Sequence, residues 1–201
     1  VPTADFGVRL GADALGAFEF HREFLQHHQW NTPRRRWVCK SPSGQGFLDK
    51  LFAVYPDALC VWTHRPMGEI YASNVALRAA IFDTISGKAN DWNSRSMAIA
   101  EGMKQGIDAM LAQDLVDDPR VMHLPFREMT ADPLGTVRKI YERAGLPVSD
   151  TFASRVQAWL ADPENAVDRH GRYPYSYEAF GLDRKWIEEL FADHSKRFGL
   201  D

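Results

Sequence analysis

Arg65 and Ser73 stand eight residues apart, directly after the apolar run Leu59-Cys60-Val61-Trp62-Thr63 and around the start of a segment with helical spacing. The carboxyl end of a strand that feeds a helix is where open α/β sheets bind ligands. Arg65 offers a planar fork of donors suited to phosphate. The helix start after Pro66 offers free N–H groups and a positive dipole, and Ser73 offers a hydroxyl two turns along. Phosphate beside this helix is the chemistry these residues point to. Taken alone the pair leaves a plainer alternative open, in which Arg65 meets a surface carboxylate and Ser73 is an ordinary helix residue.

The flanking elements follow from spacing and punctuation. Leu15, Phe18, Leu25 and Trp30 predict a helix from Asp13 to about Trp30, ended by Asn31-Thr32-Pro33. A strand Trp37-Val38-Cys39-Lys40, the turn Ser41 to Gly46, and a short helix with Phe47, Leu48, Leu51, Phe52 and Tyr55 on one face come next. Strand Leu59 to Thr63 leads to a helix from Met67 to about Phe82, then a polar loop over Ser86 to Ser94 that could close over a substrate. A helix spans about Ser96 to Leu115, and Val121 to Phe126 is a third strand, in which Pro125 marks an edge position or the strand's end. Helices from Asp132-Pro133 to Ala144, from Ser149 to Leu160 and from Asp183 to Phe198 complete the chain. Alternating strand and helix predicts an α/β protein, with a parallel sheet reduced to about three strands and flanked by many helices.

Composition narrows the function. The 201 residues are 45% hydrophobic with a formal net charge of −3, enough for one good core and without general attraction to nucleic acid or an anionic membrane. An anion site must therefore be local. No apolar run is long enough to span a bilayer, and no signal peptide is visible. Cys39 and Cys60 read as buried thiols in a reducing compartment, which places the chain in the cytoplasm. His21, His27 and His28 lack a carboxylate or cysteine that would complete a metal set, so no metal site is expected. Gly-x-Ser-x-Gly and Gly-x-x-x-x-Gly-Lys-Ser/Thr motifs are absent, which disfavours hydrolase and nucleotide-triphosphatase chemistry.

Several segments in order resemble the sulfotransferases that use 3'-phosphoadenosine-5'-phosphosulfate, in particular their broad, largely bacterial branch. Phe20 to Leu25 through Arg36-Trp37-Val38-Cys39-Lys40-Ser41-Pro42 is similar to that branch's helix and its Trp-Val-x-Lys-Ser-Pro strand. Tyr55-Pro56-Asp57-Ala58 and Thr63-His64-Arg65 continue the pattern. Phe126 to Pro133 is similar to Tyr-Glu-Asp-Leu-x-x-Asp-Pro, and Tyr175 to Leu182 to the C-terminal Tyr-Ser-x-x-x-Phe-Gly-Leu signature. The resemblance implies a P-loop-like fold and sulfuryl transfer to a hydroxyl or amine of a small-molecule or glycan acceptor, leaving adenosine 3',5'-bisphosphate. It also implies that Arg65 and Ser73 hold the cofactor's 3'-phosphate, that Phe126 lies near the adenine, and that Arg169 and Arg172 approach the same phosphate from a late loop. Lys40 falls where the family places a lysine near the transferring group, against the alternative of a lysine snorkelling from a strand end.

Two departures accompany the match. The family's histidine, two or four residues after the lysine, is replaced by Pro42 and Gly44, so the ordinary base is missing unless His21, His27, His28 or His64 replaces it. No Gly-x-Pro-Arg-Ser-Gly-Thr-Thr loop for the 5'-phosphosulfate precedes Asp13. Residues 1–201 are thus expected to form a sulfotransferase-like domain incomplete at its N-terminus: a fragment, or a chain whose gap another chain covers, a homo-oligomer included. A non-catalytic remnant that binds a nucleotide or a partner is the competing expectation.

Overall fold

A computed structural model describes residues 14–41, 44–167, 169, 171 and 175–200. The backbone groups into two compact units, residues 1–60 with 109–121, and residues 61–108 with 122–201.

The first unit is helical. Helix α1 (Ala14–His28) packs on α2 (Leu48–Val54), into which a 3-10 turn, Gly44–Phe47, runs. Leu48, Phe52 and Val54 of α2 are buried, and His21 of α1 meets the Tyr55 hydroxyl at 2.8 Å. Arg120 lays its guanidinium over the Phe52 ring, 3.8 Å from the centroid. Asp118 holds that guanidinium through its Nε and Nη2 at 2.9 and 2.8 Å, and these bonds keep the Asp118 carboxyl down at about 2.

One expected strand fails here. Residues 37–40 belong to no strand, and all four are exposed, Val38 at 96%. A strand needs a neighbour whose ladder takes up its N–H and C=O groups. Cys39 is exposed rather than buried, and Cys60 is half-buried with its thiol pushed up by burial; both are free. Apolar neighbours in sequence predicted burial for Cys39, but burial needs a packed surface that this segment lacks.

The second unit holds a small parallel sheet, β1 (Cys60–His64) beside β2 (Val121–Pro125), two strands among the described residues rather than about three. Proline does end β2: Phe126, expected as its last residue, starts α5 (Phe126–Ala131). Helix α3 (Met67–Ser86) follows β1, and α4 (Trp92–Leu111) begins earlier than expected because Asp91 accepts the Asn93 and Ser94 N–H groups. Asp132 caps α6 (Pro133–Arg143) by accepting from the Gly135 N–H at 2.8 Å, and Ser149 caps α7 (Asp150–Ala161) by accepting from Phe152.

The last expected helix is two, α8 (Arg184–Leu190) and α9 (Ala192–Phe198), broken at Phe191 with φ −107° and ψ 18°. Phe191, at the break, is buried in the core with Met67, Tyr71 and Val75 of α3, Trp92, Leu182 and Ile187. Burial of this ring stabilises the fold. The Tyr71 hydroxyl donates to the Ser96 carbonyl, and Ser96 donates to the Phe180 carbonyl, so the core's polar groups are paired.

At the end of β1 three imidazoles form a chain. His64, 2% exposed, meets His194 of α9 at 3.2 Å through Nδ1 and His123 of β2 at 2.8 Å through Nε2, with the Phe198 ring stacked on it at 3.6 Å. His194 Nδ1 is buried without a partner. We assign the protons to run one way, His194 Nε2–H to His64 Nδ1 and His64 Nε2–H to His123 Nδ1, which leaves a bare lone pair rather than an orphan N–H at that buried atom. Burial first, and then the neighbouring His123 and His194, lower the His64 pKa to about 3; burial also lowers that of His194.

Phe191→Ala should cost about 3–5 kcal/mol of folding free energy by chemical denaturation, the usual price of an emptied aromatic site. The neutral histidines stabilise the fold fully above the unfolded-chain pKa of about 6.5, and that contribution is lost as pH falls towards the folded value near 3, because the unfolded chain then binds the extra protons. Stability measured at pH 5 should fall below that at pH 7.5, and by less in His64→Gln; an equal fall in the variant would remove His64 as the cause.

Candidate functional site

Arg65 follows the last residue of β1, and Pro66, with φ −55° and ψ 130°, turns the chain into α3. The arginine is held on two sides. Its Nε donates to Glu69 Oε2 at 2.9 Å, one helical turn on, and its guanidinium carbon lies 4.8 Å from the centroid of the Phe126 ring. Arg65 and Glu69 are each near half-exposed, so their ion pair orients more than it stabilises. Both Nη groups are without a hydrogen bond among the described residues.

A cavity of about 340 Å³ opens beside this guanidinium, lined by Arg65, Glu69 and Ala72 of the α3 side, by Tyr175 and Tyr177, and by Arg184. The Tyr177 hydroxyl builds one wall by donating to the Gly68 carbonyl at 3.1 Å, which fixes the Tyr175 to Leu182 segment over the first turn of α3. Leu182 anchors that segment in the core, and Gly181, at φ 62°, makes the turn before it. Gly68 leaves room for a close approach. A Cβ there would lie 2.5 Å from Glu188 Oε1, so α8 packs its Glu188 against the α3 backbone and any side chain at 68 would displace it.

Ser73 lies on the same helical face as Arg65 and Glu69, at successive steps of four residues. It donates its hydroxyl to the Ile70 carbonyl at 2.7 Å and is not among the residues lining the cavity. Glu69 therefore stands between guanidinium and hydroxyl. Sequence reasoning passed over it, although an acidic residue four after an arginine on a helix is a pairing signal. It also quoted Tyr175 to Leu182 as a signature without a role, which the Tyr177–Gly68 bond supplies.

Phe126 is brought to Arg65, as its ring contact shows. Arg169 is not on the cavity: it donates to the Glu164 carbonyl and pairs with the Glu164 carboxylate at 3.1 Å. Arg172 lies outside the described residues. Lys40 belongs to the first unit, exposed on the 37–40 stretch. Of the histidines considered as bases, His64 is enclosed in its chain of imidazoles, His21 is engaged with Tyr55, and His28 packs on Phe24 with ring centroids 4.4 Å apart beside His27. The 87–91 connection is tied down, since Asp83 accepts from Asn90 and from the Trp92 indole.

Among the described residues no group of three or more His, Cys, Asp or Glu side chains is placed to hold a metal ion, and no helix is long and apolar enough to cross a membrane.

Comparison with known proteins carries the family. The model of the sulfotransferase family matches residues 10–150. The chain is 23% identical, over 84% of its length and 42% of the relative's, to the omega-hydroxy-beta-dihydromenaquinone-9 sulfotransferases Stf3 of Mycobacterium bovis and Mycobacterium tuberculosis. Among solved structures it resembles sulfotransferase STF9 of Mycobacterium avium, with a TM-score of 0.77 and 26% identity over 94% of this chain and 48% of that one. Sulfotransferase STF1 of M. tuberculosis follows, at a TM-score of 0.60 and 31% identity over 79% of this chain and 40% of that one. The chain thus spans less than half the length of these relatives. The strand-to-helix junction at Arg65, the ring of Phe126 beside it and the match over residues 10–150 agree: this chain belongs to the sulfotransferase family.

Proposed function

We propose that the Arg65 cavity takes the 3'-phosphate of 3'-phosphoadenosine-5'-phosphosulfate, and that the chain serves sulfuryl transfer from this donor to a hydroxyl or amine. The observation that carries the reading is the state of Arg65. Its Nε edge is fixed by Glu69 and one face by Phe126, while its Nη groups make no hydrogen bond among the described residues and the residue lines an open cavity, which supports a fork pre-oriented for a phosphate. Ser73 lies one further turn along and reaches the same anion only by exchanging its bond to the Ile70 carbonyl. Phe126, already stacked under the guanidinium, offers an apolar ring to the adenine side. Arg169 and Arg172 are late-loop cations for the same phosphate, Arg169 only after leaving Glu164.

In the transfer the acceptor oxygen or nitrogen bonds to sulfur, the bond from sulfur to the 5'-phosphate oxygen breaks, and the acceptor's proton leaves. Adenosine 3',5'-bisphosphate is the product. Positioning and charge stabilisation supply most of such catalysis, and the Lys40 ammonium is the charge we assign to the transferring group. A small-molecule hydroxyl is the favoured acceptor class, by analogy with the mycobacterial relatives whose name specifies a hydroxylated quinone. The free thiols fit a reducing, cytoplasmic setting.

A second reading has its own support. Pro42 and Gly44 occupy the usual base positions, and His64 is too enclosed to reach an acceptor, so the chain binds the nucleotide without turning it over.

Arg65→Ala should weaken adenosine 3',5'-bisphosphate by about 1–3 kcal/mol in calorimetry, and unchanged affinity would remove Arg65 from the site. Transfer of radiolabelled sulfate from the donor separates the two readings. Lys40→Ala should slow that transfer at least tenfold while leaving the bisphosphate's affinity unchanged, and a variant as fast as the parent denies Lys40 its role.

A further inference from the structure

We propose that Arg184 is a second guanidinium for the anion in the Arg65 cavity, so that a phosphate monoester dianion is gripped by two arginines, one from the β1–α3 junction and one from the start of α8. The inference rests on the phosphate reading above and adds a residue to it. Arg184 opens α8, and the cavity that borders Arg65 borders it too.

Charge around the cavity gives the reason. Arg65 faces it together with its own partner Glu69, and that pair carries no net charge. Arg184 is paired as well, its Nε donating to Glu188 Oε1 at 2.7 Å. Glu188 lines a neighbouring cavity of about 520 Å³, which shares Gly68, Glu69 and Arg184 with the smaller one, but it is not on the smaller cavity's wall. Arg184 is thus the second cation on the wall of the 340 Å³ cavity, where Glu69 is the one carboxylate among the described residues. A dianion seated at Arg65 beside the Glu69 carboxylate needs such a charge to be bound with net attraction.

Geometry keeps the second fork in place. Glu188 is pressed on the Gly68 backbone, which has no side chain to push it away, and from there it holds the Nε edge of Arg184. The two Nη groups of Arg184 make no hydrogen bond among the described residues. Arg184 also feels the neighbourhood of the first arginine: its cation is favoured first by Glu188 and, among weaker influences, by the Glu69 carboxylate. Arg65 and Arg184 thus repeat one device, a guanidinium clamped at Nε by a glutamate one turn on, with both forks bordering one space.

The test is calorimetric titration of the full chain with adenosine 3',5'-bisphosphate in four variants. Arg184→Ala should lose about tenfold or more in affinity, as one charge-assisted contact does. Arg184→Lys should recover part of it, and Glu188→Gln, which keeps the Arg184 charge and the packing volume, should stay within about threefold of the parent. Wild-type affinity in Arg184→Ala, or an equal loss in Glu188→Gln, overturns the inference, the second because it assigns the effect to helix packing. Arg65→Ala separates the two claims. If it weakens binding while Arg184→Ala does not, only the second guanidinium is lost; if neither changes affinity, the phosphate reading fails as well.

Discussion

The site depends on one constraint: an arginine at the carboxyl end of a short strand has its fork aimed before any ligand arrives. A free arginine side chain loses considerable rotamer freedom on binding. Here Glu69 fixes the Nε edge and Phe126 one face, so much of that ordering is already in the fold. The orientation has an electrostatic cost, since the glutamate that aims the guanidinium also repels an anion. The role proposed for Arg184 is to offset that cost as a second cation on the same cavity wall.

Everything that holds this corner comes from far along the chain. Tyr177 reaches the Gly68 carbonyl, Glu188 lies on the Gly68 backbone, and Phe191 fills the core beneath α3. Phe191 at the break joins the core, and α9 brings His194 and Phe198 against His64 at the strand end. The buried imidazoles close the end of β1 just before the arginine, with neutral groups that place no extra positive charge beside it near pH 7.

Local signals carried much of this fold. Capping residues such as Asp132 and Ser149, the Pro66 turn and the periodic apolar faces located the helices, and a strand followed by Arg65 pointed to the candidate site. What escaped is what depends on distant partners. Trp37 to Lys40 has the composition of a strand, but composition does not supply the neighbour a strand needs. Asp183 to Phe198 is amphipathic throughout, yet it divides at Phe191, which is buried in the core. His64, His123 and His194 are separated by up to 130 residues and gave no local sign of their contact. Arg184 escaped for the same reason, since the cavity it shares with Arg65 exists only in the fold. Glu69 alone was within reach of a local rule.

A crystal structure of the chain with adenosine 3',5'-bisphosphate bound tests the account most directly. The account predicts the 3'-phosphate in the cavity beside α3, with its oxygens within hydrogen-bonding distance of Nη atoms of both Arg65 and Arg184. A nucleotide seated elsewhere, with the cavity filled only by solvent, would contradict it.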